Sequence, residues 1–339
     1  MSVFGSRSIV PGLRSLFTIA VVTGCAAGNA VAQDCALKRM ASLPMLHSSD
    51  GGIAVMVTVD GEARKFTVDP DSTYSGIYED VAKEMNLRIE HLDSSQVYKD
   101  NGKQIGHYAL IPTFTIGATT ATNVHFLSSS RTNTVTDIAG FIGTDVLKNF
   151  DLDFDFAGMT LNLFSQEHCK GKVVYWAPDY VDIPYKASWG GRLQIPVTLD
   201  GHDLDAVLST ENDDTYLDAK SADEIYGVDD HSNGSVPLKS AKPNDLARFA
   251  YRFKSLSMSG VSVSNPLISL LHSNAEAAFE RDEGKAASSI IGDRLNVVPL
   301  SIGLNVLAKL HLYIAYGEHE IYLTGANAGK TSPPAPASH

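Results

Sequence analysis

The chain has 339 residues, 44% of them apolar, which is enough for two packed domains rather than one. Asp and Glu outnumber Lys and Arg by 39 to 27, and a net charge of −12 repels nucleic acid and anionic lipid, so neither is expected as a partner. Beyond the N-terminus no apolar run reaches the roughly 18 residues that a membrane-spanning helix needs, so no transmembrane span is expected in the mature chain.

Residues 1–32 read as a removable export signal. Arg7 and Arg14 form the positive region, "SLFTIAVV" the short apolar core, and Ala30-Val31-Ala32 a small-residue cleavage site before Gln33. A membrane anchor is the alternative, and the short core argues against it. "VTGC", ending at Cys25, resembles a bacterial lipoprotein processing box, so lipidation at Cys25 stays open beside ordinary cleavage. Either route exports the chain, to the periplasm or outside the cell, and leaves Cys35 and Cys169. In an oxidising compartment that pair is most simply a disulfide, with two buried thiols as the alternative. Closing so long a loop contributes about 4–5 kcal/mol in the chain-entropy treatment.

An internal repeat follows. Ile53, Val55, Val57 and Val59 alternate into Asp-Gly, and "VTVDG" at 57–61 returns as "VTLDG" at 197–201 after Leu193, Ile195, Val197 and Leu199. Each copy predicts a half-buried strand and a tight hairpin. The second strand of each runs into a polar turn, Phe66-Thr67-Val68-Asp69 in one and Ala206-Val207-Leu208-Ser209 in the other. A short helix is predicted next in both copies, through Val81 and Met85, and through Ala222 and Ile225 with Gly227 as its cap. "VYKDNGKQIG" at 97–106 has the form of a hairpin with an Asn-Gly turn, and "SSSRTN" at 128–133 that of a polar loop. Residues 141–164 then align without gaps to 301–324, each copy reading as strand, Ile-Gly turn, short helix and hairpin. Two lobes result, 33–165 and 191–325, with a linker at 166–190 and a small-residue, Pro-rich tail at 326–339 expected to be disordered. The histidines form no metal-binding spacing, and "ASWGGR" at 187–192 lacks the helix and Lys-Ser of a phosphate loop. No metal site and no cofactor are expected.

The order strand, Asp-Gly hairpin, strand, Asp, turn, helix, then Ile-Gly-x-Asp-x-Leu resembles a retropepsin-like aspartic protease lobe. Nearly all of 35–325, including "CALKRMASLPM" (35–45) and "HCKGKVVYW" (168–176), is similar to the two-lobed periplasmic aspartyl protease family proteins of bacteria. The resemblance implies an all-β, pepsin-like pair of lobes with short helices and a cleft between them. A single chain then supplies both lobes, so a monomer suffices. It also implies that hairpin 97–106 sits where a flap covers the cleft, although an ordinary surface hairpin explains it equally well.

In that family each lobe presents Asp-Thr-Gly, and the two aspartates share one proton because two close carboxylates resist joint ionisation. This chain departs from the pattern. The first lobe has Asp69-Pro70-Asp71-Ser72, which keeps the acid and loses both the Thr brace and the Gly. The second has Ser209-Thr210-Glu211-Asn212, which keeps the brace and replaces the acid with Ser and the Gly with Glu. Asp69 then titrates as an ordinary carboxylate unless burial shifts it. Removing one member of a catalytic unit abolishes most of its acceleration. The expectation is therefore a catalytically degraded aspartic protease that binds an extended peptide or protein segment by strand addition, with Pro70, Ser72, Thr210 and Asn212 as binding residues. Two alternatives stay open. One is an active or residual aspartic endopeptidase using Asp69 with Asp71 or Glu211 as a substitute carboxylate, although both read more simply as solvated turn residues. The other is a structural envelope protein with a filled cleft.

Overall fold

The computed structural model describes residues 35–49, 51–92, 98–100, 103–130, 137–187, 192–238, 247–272 and 298–329. The export segment with Cys25, the Asn101-Gly102 turn, residues 131–133 of the polar loop, residues 188–191 of "ASWGGR" and the tail from 330 lie outside them.

The first lobe is built on the hairpin Ile53–Val59 and Glu62–Val68. Its turn needs two consecutive residues at positive φ, and Asp60 (46°) and Gly61 (84°) supply them. Asp200 (45°) and Gly201 (88°) do the same for hairpin Leu193–Leu199 and His202–Leu208 in the second lobe. In the first lobe the hairpin continues through Ile138–Ile142, Gly76–Tyr78, Thr119–Ser129 and His107–Ile116, and the last of these pairs back onto Ile53–Val59 through Thr58 and Val59. The sheet therefore closes into a barrel around Phe66, Phe114 and Phe126, whose rings meet edge-on at 5.0–6.2 Å.

The second lobe follows the same path with one change. The counterpart of the long hairpin His107–Ile116 and Thr119–Ser129 is broken into Ala247–Arg252, Ser255–Met258, Val261–Ser264 and Leu267–Leu271. Pro266, which has no N–H to give a ladder, stands at the break. The helices fall as the repeat requires, at Glu79–Glu84 and Ala219–Tyr226, the second ended by Gly227 in the left-handed conformation.

The C-terminal hairpins of the two lobes merge into one six-stranded sheet. Its order is Arg39–Pro44, Thr160–Phe164, Asp151–Asp155, Leu310–Ala315, Glu320–Gly325 and Val181–Pro184. Antiparallel pairing of Asp151–Asp155 with Leu310–Ala315 joins the lobes at its centre. The last strand comes from the 166–190 stretch, which thus supplies an edge strand as well as a connection. One face, through Leu152, Phe154, Leu312 and Ile314, packs into the common core. The other is covered by residues 168–176, with Val173 and Trp176 against Phe164 and Tyr313. Because both faces are covered, Asp151 and Asp153 are wholly buried. Asp151 binds His168 Nε2 (2.5 Å) and accepts the Tyr316 N–H (3.0 Å). Asp153 binds His311 Nε2 (2.6 Å), the Asn162 amide (2.9 Å) and the Tyr175 hydroxyl (2.5 Å). Burial pushes the Asp151 carboxyl above the usual range and His168 opposes the shift. Cys35 and Cys169 are bonded, closing a 134-residue loop around the first lobe.

Candidate functional site

The two polar turns sit face to face where the lobes meet, and their backbones are held by matched hydrogen bonds. Asp69 N–H donates to Ile142 O (3.0 Å), and Ser209 N–H to Ile302 O (2.9 Å). Thr144 N–H donates to Ser72 O (2.8 Å), and Leu304 N–H to Asn212 O (2.9 Å). The glycine of each Ile-Gly pair donates to a hydroxyl at 3.0 Å, Gly143 to Ser75 and Gly303 to Thr215. Those glycines are needed for close approach: a Cβ on Gly143 would lie 2.5 Å from Tyr74 O, and one on Gly303 2.1 Å from Asp214 O. Both turns are therefore fixed by the scaffold independently of what their side chains do.

Asp69 is 5% exposed. Its Oδ1 accepts the Asp71 N–H (3.0 Å), and Glu211 from the other lobe lies near enough for its charge to act on the Asp69 carboxyl. Burial first, then the neighbouring charges of Glu211 and Asp71, hold the Asp69 carboxyl well above the ordinary range, while the Asp71 N–H pulls it down. Asp69 therefore does not titrate as an ordinary carboxylate, because burial and a second acid act in the same direction. Two acids this close resist joint ionisation, so the Glu211 charge favours a proton on Asp69.

Ser209 is buried at the position symmetric to Asp69, and its Oγ accepts the Asn212 amide (2.9 Å). Thr210 is buried too; its hydroxyl donates across the lobes to Val68 O, and its carbonyl accepts the Ile53 N–H (2.7 Å). Pro70, its counterpart, is buried without a hydroxyl, so this brace runs one way only. Ser72 turns its hydroxyl onto Tyr74 O (3.0 Å).

The reading of Asp71 as a solvated turn residue needs correction. The Arg192 Nε and Nη2 atoms clamp its two oxygens at 2.6 and 2.9 Å, and its side chain is 17% exposed. This fork ties the start of the second lobe to the first-lobe turn and engages Asp71 away from the Asp69 pair. Glu211 is exposed but is likewise no free turn residue, since its charge acts on Asp69. On the facing side, Gly52 at φ 83° donates its N–H to Asp213 Oδ1 (3.2 Å) and packs so close that a Cβ would lie 2.5 Å from Glu211 O. Arg192 was not singled out from the sequence. The signal was available, because the repeat sets Arg192 opposite Gly52, in the segment that abuts the other lobe's turn.

Residues 55–146, most of the first lobe, match the family model described as aspartyl protease. No curated protein matches the sequence. The structure is similar to the crystal structure of basic 7S globulin from soybean, with a TM-score of 0.51 over 85% of this chain and 97% of that one at 8% identity. At that identity the likeness speaks for the fold alone. The first lobe thus matches the retropepsin-like aspartyl protease family, and the chain has a mainly β, two-lobed, pepsin-like fold.

Proposed function

We propose that this chain is an exported aspartic-type endopeptidase whose acid pair has been rebuilt from Asp69 and Glu211, acting on an extended peptide laid between the lobes. The observation that supports this reading is the buried Asp69 carboxyl of one lobe with a second acid, Glu211, brought close to it by the other, which raises it well above the ordinary range. With one proton on the pair, the ionised carboxyl takes a proton from water as it adds to the scissile carbonyl, and the protonated one serves the developing oxyanion and then the leaving amine. Activity needs that single proton, so it rises toward acid pH. Glu211 takes this part rather than Asp71, because Arg192 engages both Asp71 oxygens.

The test is digestion of a peptide library by the mature protein from acid to neutral pH. The expected result is cleavage with an acid optimum, reduced about 100-fold or more by Asp69→Asn and by Glu211→Gln. A second reading, peptide binding without turnover, is favoured by Ser209 at the position where the family carries its second acid. Saturable peptide binding with no cleavage at any pH establishes that reading and removes the first. Export is supported by residues 1–32 and by the disulfide. Mass analysis of the cell-derived protein is expected to show a chain beginning at Gln33, and retention of residues 1–32 in that protein refutes export by cleavage.

A further inference from the structure

We infer that the first lobe carries a site for a first-row divalent transition-metal ion, held between the imidazoles of His91 and His107. The two residues are too far apart in the chain to show a ligand spacing, and strand pairing brings them together. His91 ends strand Arg88–His91, His107 begins strand His107–Ile116, and they stand directly opposite each other in the antiparallel ladder. One step further on, Leu92 N–H donates to Gly106 O (2.9 Å). His91 and His107 are therefore a non-hydrogen-bonded pair, the arrangement in which facing side chains come closest.

The ring centres lie 4.4 Å apart with 45° between planes, too inclined for a stack. An ion held by one nitrogen of each ring at about 2.0–2.1 Å, with about 90–109° between the two bonds, sets ring centres about 4.5–5 Å apart. The pair thus stands close to the spacing of two ligands on one ion. Neither imidazole has a hydrogen bond or an ion pair among the described residues, so each has a nitrogen lone pair to give. His91 is exposed and His107 half-buried, which leaves the ion a way in. Glu79 brings a negative charge near His107 and is itself taken up by Lys83 and the Ser130 hydroxyl (3.0 Å). No third His, Cys, Asp or Glu joins the pair among the described residues, so waters complete the coordination.

The internal repeat shows that this pair is not a general feature of the fold. In the second lobe the sister strands Ser235–Pro237 and Ala247–Arg252 set Val236 opposite Ala250 and Pro237 opposite Phe249, with no imidazole on either. His125, on the neighbouring strand of the first lobe, stands on the other face of the sheet, edge-on to Tyr108 at 4.8 Å. The chain between the two histidines contains the paired strands Tyr98–Asp100 and Lys103–Ile105, so an ion on both rings ties together the two ends of that segment. Two imidazoles select the ion by chemistry: they suit copper(II) and zinc(II), copper the more tightly, and do not suit magnesium, which prefers oxygen.

The test is calorimetric titration of the untagged mature protein with copper(II), zinc(II) and magnesium(II) at neutral pH. One-to-one binding of copper and, more weakly, of zinc is expected, with none of magnesium. Both are expected to weaken about tenfold or more in His91→Ala and in His107→Ala and to stay unchanged in His125→Ala. Copper is expected to show two nitrogen ligands by electron paramagnetic resonance in the parent, and to raise the melting temperature of the parent more than that of either variant. Each variant is compared with and without the ion, so a change in its own stability does not enter. Binding is expected to persist in Asp69→Asn, so the result stands or falls separately from peptide cleavage. No saturable binding, magnesium bound as tightly as copper, or full binding retained by both His91→Ala and His107→Ala overturns the site.

Discussion

The turn at 69–75 and the turn at 209–215 share a backbone and differ in nearly every side chain that faces the midline. Both donate their first N–H to the isoleucine carbonyl of an Ile-Gly pair, and both are anchored by a hydroxyl that accepts the glycine N–H. Yet the first turn holds a buried acid with no brace, and the second a brace with no acid at the matching place. The scaffold bonds come from backbone and from residues behind the turn, so selection on the midline side chains is free to change the chemistry without unfolding the loop. The replacements are also complementary. On the proposed reading Glu211, two residues on, takes the place of the acid missing at Ser209, and the Arg192–Asp71 fork ties the lobes where Pro70 has no hydroxyl.

The comparison breaks most severely at the ends of the lobes. The first lobe is closed by Cys35–Cys169, and the repeat sets Gly329 opposite Cys169 in the second. Replacing both cysteines with serine is expected to cost about 4–5 kcal/mol, read as a lower denaturation midpoint. An unchanged midpoint refutes the loop-closure account. The next effect concerns activity. Ser209→Asp combined with Glu211→Gly gives the second turn the family's own acid and glycine, and cleavage at acid pH is expected to rise about 100-fold. If the double variant folds and neither it nor the parent cleaves at any pH, the midline geometry is not that of a peptidase. Third comes the one-way brace. Thr210→Val leaves Val68 O buried without its donor and is expected to cost about 1–3 kcal/mol in chemical denaturation. A cost no larger than that of a surface substitution means the brace is dispensable.

Much of this was legible in the sequence. Asp-Gly pairs fix a hairpin through local backbone preference, and alternation over 53–59 and 193–199 fixes which face is buried. Those signals are short-range, and the structure has both hairpins where they were expected. Other features were not legible, for reasons of distance and of the second face. Glu211 was offered by the sequence only as one of two substitute acids, and the choice between it and Asp71 depends on Arg192 and on how the two lobes close, which no local pattern encodes. In "DLDFDF" the alternation marks Leu152, Phe154 and Phe156 as an apolar face, but it carries no sign that segment 168–176 covers the opposite face and buries Asp151 and Asp153. Strand Val181–Pro184 sits in a stretch too short and too irregular to show a period, and pairing with the second lobe's hairpin makes it a strand.

The smallest effect tests the Asp69 proton itself. Burial and Glu211 raise the Asp69 carboxyl well above the value of about 3.9 that it has in the unfolded chain. The folded protein therefore holds a proton that the unfolded chain releases, and this stabilisation is complete below the unfolded value and lost as pH rises through the folded one. Asn at position 69 keeps an oxygen for the Asp71 N–H and stands beside Glu211 without needing that proton. Asp69→Asn is thus expected to melt a few degrees above the parent at neutral pH, with the gap closing as pH falls below about 4. Parallel melting curves for the two proteins from pH 3 to 8 would mean that Asp69 binds no extra proton on folding, and the two turns would then share a backbone but no chemistry.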